Sequence, residues 1–219
     1  MMRRVFLLVT FILLTVSMWV ALTAGQIEGP PANPASVVRN IIYAHIPSSI
    51  CSLLCFVVLL VAGIAYLCTG SEKWDILANA SAEVGAIFAT VLNLTGSIFS
   101  RAEWGIWWTP SPRLVTAAIL WFLYIVYLIL RSSLAGSEKR RARICAVFAI
   151  IAFLDVPMVL ISARFIPDIH RANFQFTLSG QRLAFFLSMF ATVLLAAMLM
   201  WIRTEILTCR TKLQQQDCN

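Results

Sequence analysis

The sequence predicts an all-α membrane protein, a six-helix transmembrane bundle with both termini cytoplasmic. Three observations predict it. Of the 219 residues, 60% are hydrophobic and 12% charged, against about 25% charged in a soluble domain, and mean hydropathy is +0.85. Six stretches approach or exceed the roughly 20 mostly apolar residues that a spanning helix needs: 5–24, 41–68, 76–99, 114–130, 144–166 and 183–202. The fourth is the shortest, and its ends extend into the flanking loops. Finally, the basic residues divide unequally between the two sides. With the N-terminus inside, the cytoplasmic side holds Arg3, Arg4, Lys73, Arg131, Lys139, Arg140, Arg141, Arg143, Arg203, Arg210 and Lys212. The outer side holds Arg39, Arg101, Arg113, Arg164, Arg171 and Arg182. Lys and Arg concentrate on the cytoplasmic side of membrane proteins, so the net charge of +7 reads as a topology signal and implies no nucleic-acid partner. Little sequence is left outside the six segments, and residues 1–219 read as a single integral membrane domain.

The first segment follows Arg3 and Arg4 and ends in Ala21-Leu22-Thr23-Ala24, which resembles a secretion signal. Its apolar run is longer than a signal core and lacks a good small-x-small cleavage site, so it reads as an uncleaved first helix. The outer connection 25–40 contains Gly29-Pro30-Pro31-Ala32-Asn33-Pro34, an extended, exposed run. Pro47 is tolerated in a first helical turn and breaks an interior, so the regular second helix is expected to begin near Pro47 with His45 just before it. Residues 69–75 form a short inner turn. The third helix carries Glu83 and Asn93 within its apolar run and leads into a tryptophan-rich outer loop, 100–113. The fourth helix starts at Ser111-Pro112, a favoured cap followed by a favoured first residue. The fifth contains Asp155-Val156-Pro157 near mid-membrane, where Pro frees a backbone carbonyl. The last outer loop, 167–182, holds Asp168, His170, Arg171 and Arg182.

The six cysteines form no Cys-x-x-Cys pair. Cys51 and Cys55, one helical turn apart, read as small packing residues. Cys209 and Cys218, in the cytoplasmic tail, read as reduced thiols.

The residues able to carry chemistry gather on the outer side. Residues 104–113 read Trp-Gly-Ile-Trp-Trp-Thr-Pro-Ser-Pro-Arg, with three of the seven Trp inside five positions. Stacked indoles offer a broad apolar plane, although Trp also marks ordinary membrane interfaces. The only two histidines, His45 and His170, fall in outer connections. Neutral imidazole is a common axial ligand for haem iron, and the positive end of a helix disfavours imidazolium at His45. Arg113, at the start of the fourth helix, sits where backbone N–H groups attract anions and suits a propionate. Aromatic plane, imidazoles and arginines together suit a planar, iron-bearing, dianionic ligand. Each also has a plainer reading as an interfacial residue. The carboxylates Glu83 and Asp155 lie within the membrane, where such groups face a partner or a cavity; the structural reading is preferred over a proton or cation path.

These residues, taken together, resemble the cytochrome c assembly proteins, in the haem exporter protein C branch. Trp104-Gly105-Ile106-Trp107-Trp108, then Arg113-Leu114, is similar to that family's tryptophan-rich motif. Tyr43-Ala44-His45-Ile46-Pro47 resembles its first haem-ligand segment, Leu94-Thr95-Gly96-Ser97-Ile98 the approach to the motif, and Asp155-Val156-Pro157 its fifth helix. His170 falls where the second ligand is expected. The motif is diverged: the family pattern is Trp-Gly-x-Trp-Trp-x-Trp-Asp-x-Arg, and here Pro110 replaces the third Trp and Ser111 the Asp. Ser111 can still cap the following helix.

The resemblance implies a haem-handling protein of a bacterial inner membrane rather than an enzyme. It implies non-covalent, b-type haem held at the periplasmic face by Trp104, Gly105, Trp107, Trp108 and Arg113, with His45 and His170 on the iron. The haem would pass to a periplasmic haem chaperone, alongside ATP-binding cassette exporter subunits and a small membrane subunit. No segment of this chain reads as an ATP-binding or hydrolytic motif. Two other classes stay open on the residues alone. A membrane b-type cytochrome would want histidines inside the bundle, and a small-solute transporter would use Glu83 and Asp155.

Overall fold

The computed structural model describes residues 2–25, 27, 36–134, 137–165 and 178–217. Among them the chain is helical, in the order α1 (Met2–Thr23), α2 (Ser36–Arg39), α3 (Ile42–Thr69), α4 (Glu72–Trp104), α5 (Pro112–Ser133), α6 (Glu138–Ala152), α7 (Asp155–Phe165) and α8 (Ser179–Asp217). Six helical stretches are long and apolar enough to cross a membrane, α6 and the first part of α7 together making one of them. The Pro-rich run at 29–34 lies outside the described residues, as do Asp168, His170 and Arg171.

α3 and α4 form the centre. They are joined by Gly70 and Ser71 alone, and Gly70 closes α3 with φ of 64° and its N–H on the Tyr66 carbonyl. That left-handed turn suits a residue without a Cβ. The two helices approach closely because the facing residues are small: Cys51, Ser52, Cys55 and Ala62 on α3, and Ala78, Ser81, Ala82 and Ala89 on α4 are all buried. Small residues are the means by which membrane helices pack, since lipid supplies no hydrophobic drive between them. The Ser81 hydroxyl donates to the Cys55 carbonyl at 2.6 Å. Cys51 and Cys55 are thus buried packing thiols, as their spacing predicts.

α5 closes over this pair. The Tyr124 hydroxyl donates to the Ser52 carbonyl at 2.6 Å, its ring meets Phe56 edge-on at 4.7 Å, and it passes over Gly85, where any Cβ would collide with it. α1 runs antiparallel to α8 on the other flank. A Cβ on Gly180 would clash with the Ala24 backbone, Phe6 packs on Trp201, and Arg3 pairs with Glu205 at 3.6 Å. At about 1.5 Å per residue the 39 residues of α8 extend about 58 Å, well past the roughly 30 Å hydrocarbon core. Its last turns therefore project beyond the bundle.

The fifth span is broken where Asp155-Val156-Pro157 predicts. α6 ends at Ala152, and the turn at Phe153 and Leu154 uses tighter bonds, Leu154 N–H to Ile151 and Val156 N–H to Phe153. Pro157 has no N–H to offer the Phe153 carbonyl, so the ladder restarts there. Asp155 Oδ2 is buried with no hydrogen-bond partner among the described residues.

Two carboxylates of α4 are matched by arginines. Arg131 of α5 grips Asp75 through two bonds of 2.6 Å, and Arg203 of α8 grips Glu83, with Nη2 to Oε1 at 2.8 Å. These pairs line an open cleft of about 780 Å³ at the end of the bundle that carries the α3–α4 turn. Glu83 is thereby one half of an ion pair that lines this cleft.

Candidate functional site

At the opposite end, three ties hold the start of α3. The Tyr43 hydroxyl donates to the Gly25 carbonyl at 2.6 Å, the Asn40 side chain accepts from the Ile27 N–H at 3.2 Å, and Arg39 forms a bidentate pair with Glu103 at 2.8–3.3 Å. The first two fix α3 to the end of α1, and the third to the end of α4. With Asn40 and Ile41 already turned, the amides of Tyr43, Ala44 and His45 bond back to Asn40 and Ile41.

This corrects the expected start of the helix. α3 begins at Ile42, so His45 lies in its first turn and Pro47 lies inside the helix. Pro47 there forfeits only the bond its missing N–H would have made to Tyr43, and the tie-down upstream offsets that loss.

His45 and Tyr43, two residues apart, face opposite ways. Tyr43 points to α1, and His45 points to α4. There His45 Nδ1 lies 2.9 Å from Thr95 Oγ1. The same Thr95 oxygen is 2.6 Å from the Val91 carbonyl and 3.2 Å from the Leu92 carbonyl. Beside it Gly96 lets the imidazole approach, since a Cβ there would sit 3.2 Å from His45 Cε1.

α4 continues beyond this point into the tryptophan-rich segment, so Trp104 is its last helical residue. From Thr95 to Trp104 it rises about 13 Å. Trp104 is half-buried against Phe99, ring to ring at 5.6 Å. Gly105 ends the helix with φ of 76°, its N–H on the Arg101 carbonyl, a position where a side chain would be strained. The segment then folds back: the buried Ser100 hydroxyl donates to the Ile106 carbonyl at 2.7 Å, and the Arg101 guanidinium bonds the Gly105 carbonyl. Arg101 also lies over the Trp107 ring at 6.0 Å, within cation–π range. Trp107 and Trp108 are left 60% and 49% exposed. Two of the three indoles thus face outward, and the third serves as packing.

Ser111 occupies the N-cap position of α5, with extended backbone and its carbonyl accepting from Val115 at 2.9 Å. Its hydroxyl makes no capping bond; the Oγ is buried without a hydrogen-bond partner among the described residues. The capping role expected for this side chain is therefore not filled. The Ser111 N–H is already turned back onto Thr109 at 2.8 Å, around Pro110. Arg113 follows in the first turn of α5, half-buried.

The structure therefore brings His45, Trp104, Gly105, Trp107, Trp108 and Arg113 to one end of the bundle, while His170 lies outside the described residues. Thr95, Gly96, Ser100 and Glu103 join the site without having been singled out by chemistry. Thr95 and Gly96 do belong to the Leu94–Ile98 stretch that resembled the approach to the motif, and that was the one signal available for them.

A model of the heme exporter protein C family matches residues 1–219. The heme exporter protein C of Escherichia coli (strain K12) is 28% identical over 165 residues, covering 73% of this chain and 66% of that protein. Its namesake in Bradyrhizobium diazoefficiens is 27% identical over 185 residues, covering 79% and 68%. A ccmC-like mitochondrial protein of Marchantia polymorpha, named for cytochrome c biosynthesis, is 24% identical over 134 residues, covering 61% and 56%. The matched stretch thus spans 56–68% of the length of these relatives. With a family match running from the first residue to the last, over six membrane-length helices that carry the diverged tryptophan motif at one end, the chain belongs to the haem exporter protein C family.

Proposed function

We propose that this protein holds haem at the outer face of a bacterial inner membrane and hands it to a periplasmic haem chaperone during cytochrome c maturation. The observation that carries this reading is the His45 imidazole, lodged against Thr95 and Gly96 at the end of the bundle that exposes Trp107 and Trp108. The residues suit a haem. Gly96 lets the His45 ring lie close against α4, where a Cβ would crowd its Cε1. His45 supplies a nitrogen ligand of the kind haem iron takes. Two exposed indoles offer an apolar plane to the porphyrin. Arg113, at a helix N-terminus, suits a propionate.

In this reading the haem is non-covalent b-type cargo, with His45 and His170 as iron ligands and Trp104 and Gly105 shaping the segment that covers it. The chain itself carries out no catalysis. ATP-binding cassette subunits and a small membrane subunit would complete the assembly, with the termini and the basic 131–143 segment in the cytoplasm.

Complementation tests this role. In a bacterium lacking its own haem exporter protein C, the wild-type chain should restore covalent haem attachment to periplasmic cytochromes c. His45→Ala and His170→Ala should each reduce attachment at least about 10-fold, the loss typical of removing a metal-site residue, at unchanged membrane levels. Normal maturation with both single variants would refute the ligand assignment.

A further inference from the structure

Thr95 Oγ1 has three neighbours within hydrogen-bond distance: the Val91 carbonyl at 2.6 Å, the Leu92 carbonyl at 3.2 Å and His45 Nδ1 at 2.9 Å. A hydroxyl carries one hydrogen and accepts through its lone pairs. Carbonyl oxygens only accept. The single hydrogen of Thr95 must therefore lie toward the helix carbonyls, most closely Val91, because two bare oxygens at 2.6 Å would repel. Its lone pair is then what faces the imidazole, and His45 must be the donor in that contact. A neutral imidazole that donates from Nδ1 carries its lone pair on Nε2.

We infer that Thr95 is a positioning residue: its back-bonded hydroxyl holds His45 in the Nδ1–H tautomer and so sets Nε2 as the iron-binding atom. This rests on the reading of His45 as a haem ligand and adds to it the atom that binds and the residue that selects it. The hydrogen bond made by one ring nitrogen decides the state of the other, and such partners orient metal-ligating histidines generally. Here the geometry is reinforced twice. The back-bond to α4 fixes the hydroxyl, so its acceptor direction does not rotate with solvent. Gly96, next on α4, seats the Cε1 edge of the ring, which lies between the two nitrogens. One neighbour selects the proton and the other sets where the ring lies. The helix register is what joins them, because residues 45 and 95 meet only through the close packing of α3 on α4.

The intrinsic preference of a histidine side chain in water is the opposite tautomer, with the proton on Nε2. Replacing Thr95 should therefore move the proton, a readout that a merely structural role would not give. The chain has two histidines, so uniform 15N-histidine labelling of the haem-free full-length protein in detergent gives two sets of ring resonances, and His170→Ala identifies those of His45. The wild type should show His45 protonated at Nδ1 and bare at Nε2. Thr95→Val keeps the shape and removes the acceptor; it should shift His45 toward Nε2–H and weaken binding of added ferric haem roughly 10-fold. Thr95→Ser keeps the hydroxyl and should restore both.

A wild-type His45 protonated at Nε2 would overturn the inference before any variant is made, so it does not depend on Thr95→Val folding. An unchanged tautomer in a folded Thr95→Val would also overturn it. If the tautomer moves as stated but His45→Ala binds ferric haem as tightly as the wild type, the inference falls through the ligand reading, and the hydrogen bond is then a structural one.

Discussion

At His45 and Ser111, backbone position and side-chain role separate. Both residue types attract notice in the sequence, one as a ligand and one as a cap. His45 acquires its surroundings from Thr95 and Gly96, fifty residues away. Ser111 takes the cap backbone without making the cap bond. Its hydroxyl, buried without a partner among the described residues, stands where the motif this segment resembles has Asp, whose carboxylate reaches further toward the first helical turn. Ser111→Asp should supply that acceptor and stabilise α5 by up to about 1 kcal/mol, seen as a rise in thermal unfolding temperature. The double variant Pro110→Trp/Ser111→Asp should retain more haem through gel filtration than the wild type. Unchanged retention would mean that the divergence at these two positions is neutral or compensated elsewhere. Thr95 was not legible as a site residue because a hydroxyl in an apolar run adds no periodicity. Its role depends on a contact between helices, which no local pattern encodes.

At the scale of elements, apolar length and punctuation by Gly and Pro carried most of the fold. The α3–α4 turn at Gly70, the α5 start at Pro112 and the break before Pro157 all follow from local backbone chemistry. Several boundaries did not: α4 starts at Glu72 and α6 at Glu138, where the apolar runs begin at 76 and 144, and α8 runs to Asp217, past the expected end at 202. Arg101-Ala102-Glu103 reads as a polar loop, yet α4 runs through it to Trp104, because Glu103 is paired by Arg39 and Arg101 turns back onto Gly105. His45 reads as preceding a helix, yet ties from Asn40 and Tyr43 to the end of α1 start α3 earlier. The opposite end of α4 is held by ion pairs instead. The Asp75 and Arg131 side chains are 12% and 13% exposed, so removing one leaves the other charge nearly buried. Asp75→Ala should cost about 3 kcal/mol in detergent unfolding. Asp75→Leu/Arg131→Met should recover most of that, since a matched apolar pair removes both charges. Equal loss in the single and double variants would show that the pair does more than neutralise itself.

Across the whole molecule, structure and chemistry are divided between the two ends. One end holds the α3–α4 turn, the ion-paired cleft and the projecting turns of α8. The other holds His45 and the exposed indoles, joined to the first through small-residue packing of α3 on α4. That division was legible in outline, since His45 and the Trp-rich run share a predicted side while most basic residues fall on the other. We propose that the end bearing His45 binds haem. The most direct test is an absorption spectrum of the purified, detergent-solubilised protein after addition of haem, wild type beside His45→Ala/His170→Ala. A low-spin haem spectrum in the wild type that is lost in the double variant is the predicted result. No haem uptake by the wild type, or the same low-spin spectrum in the double variant, would contradict it.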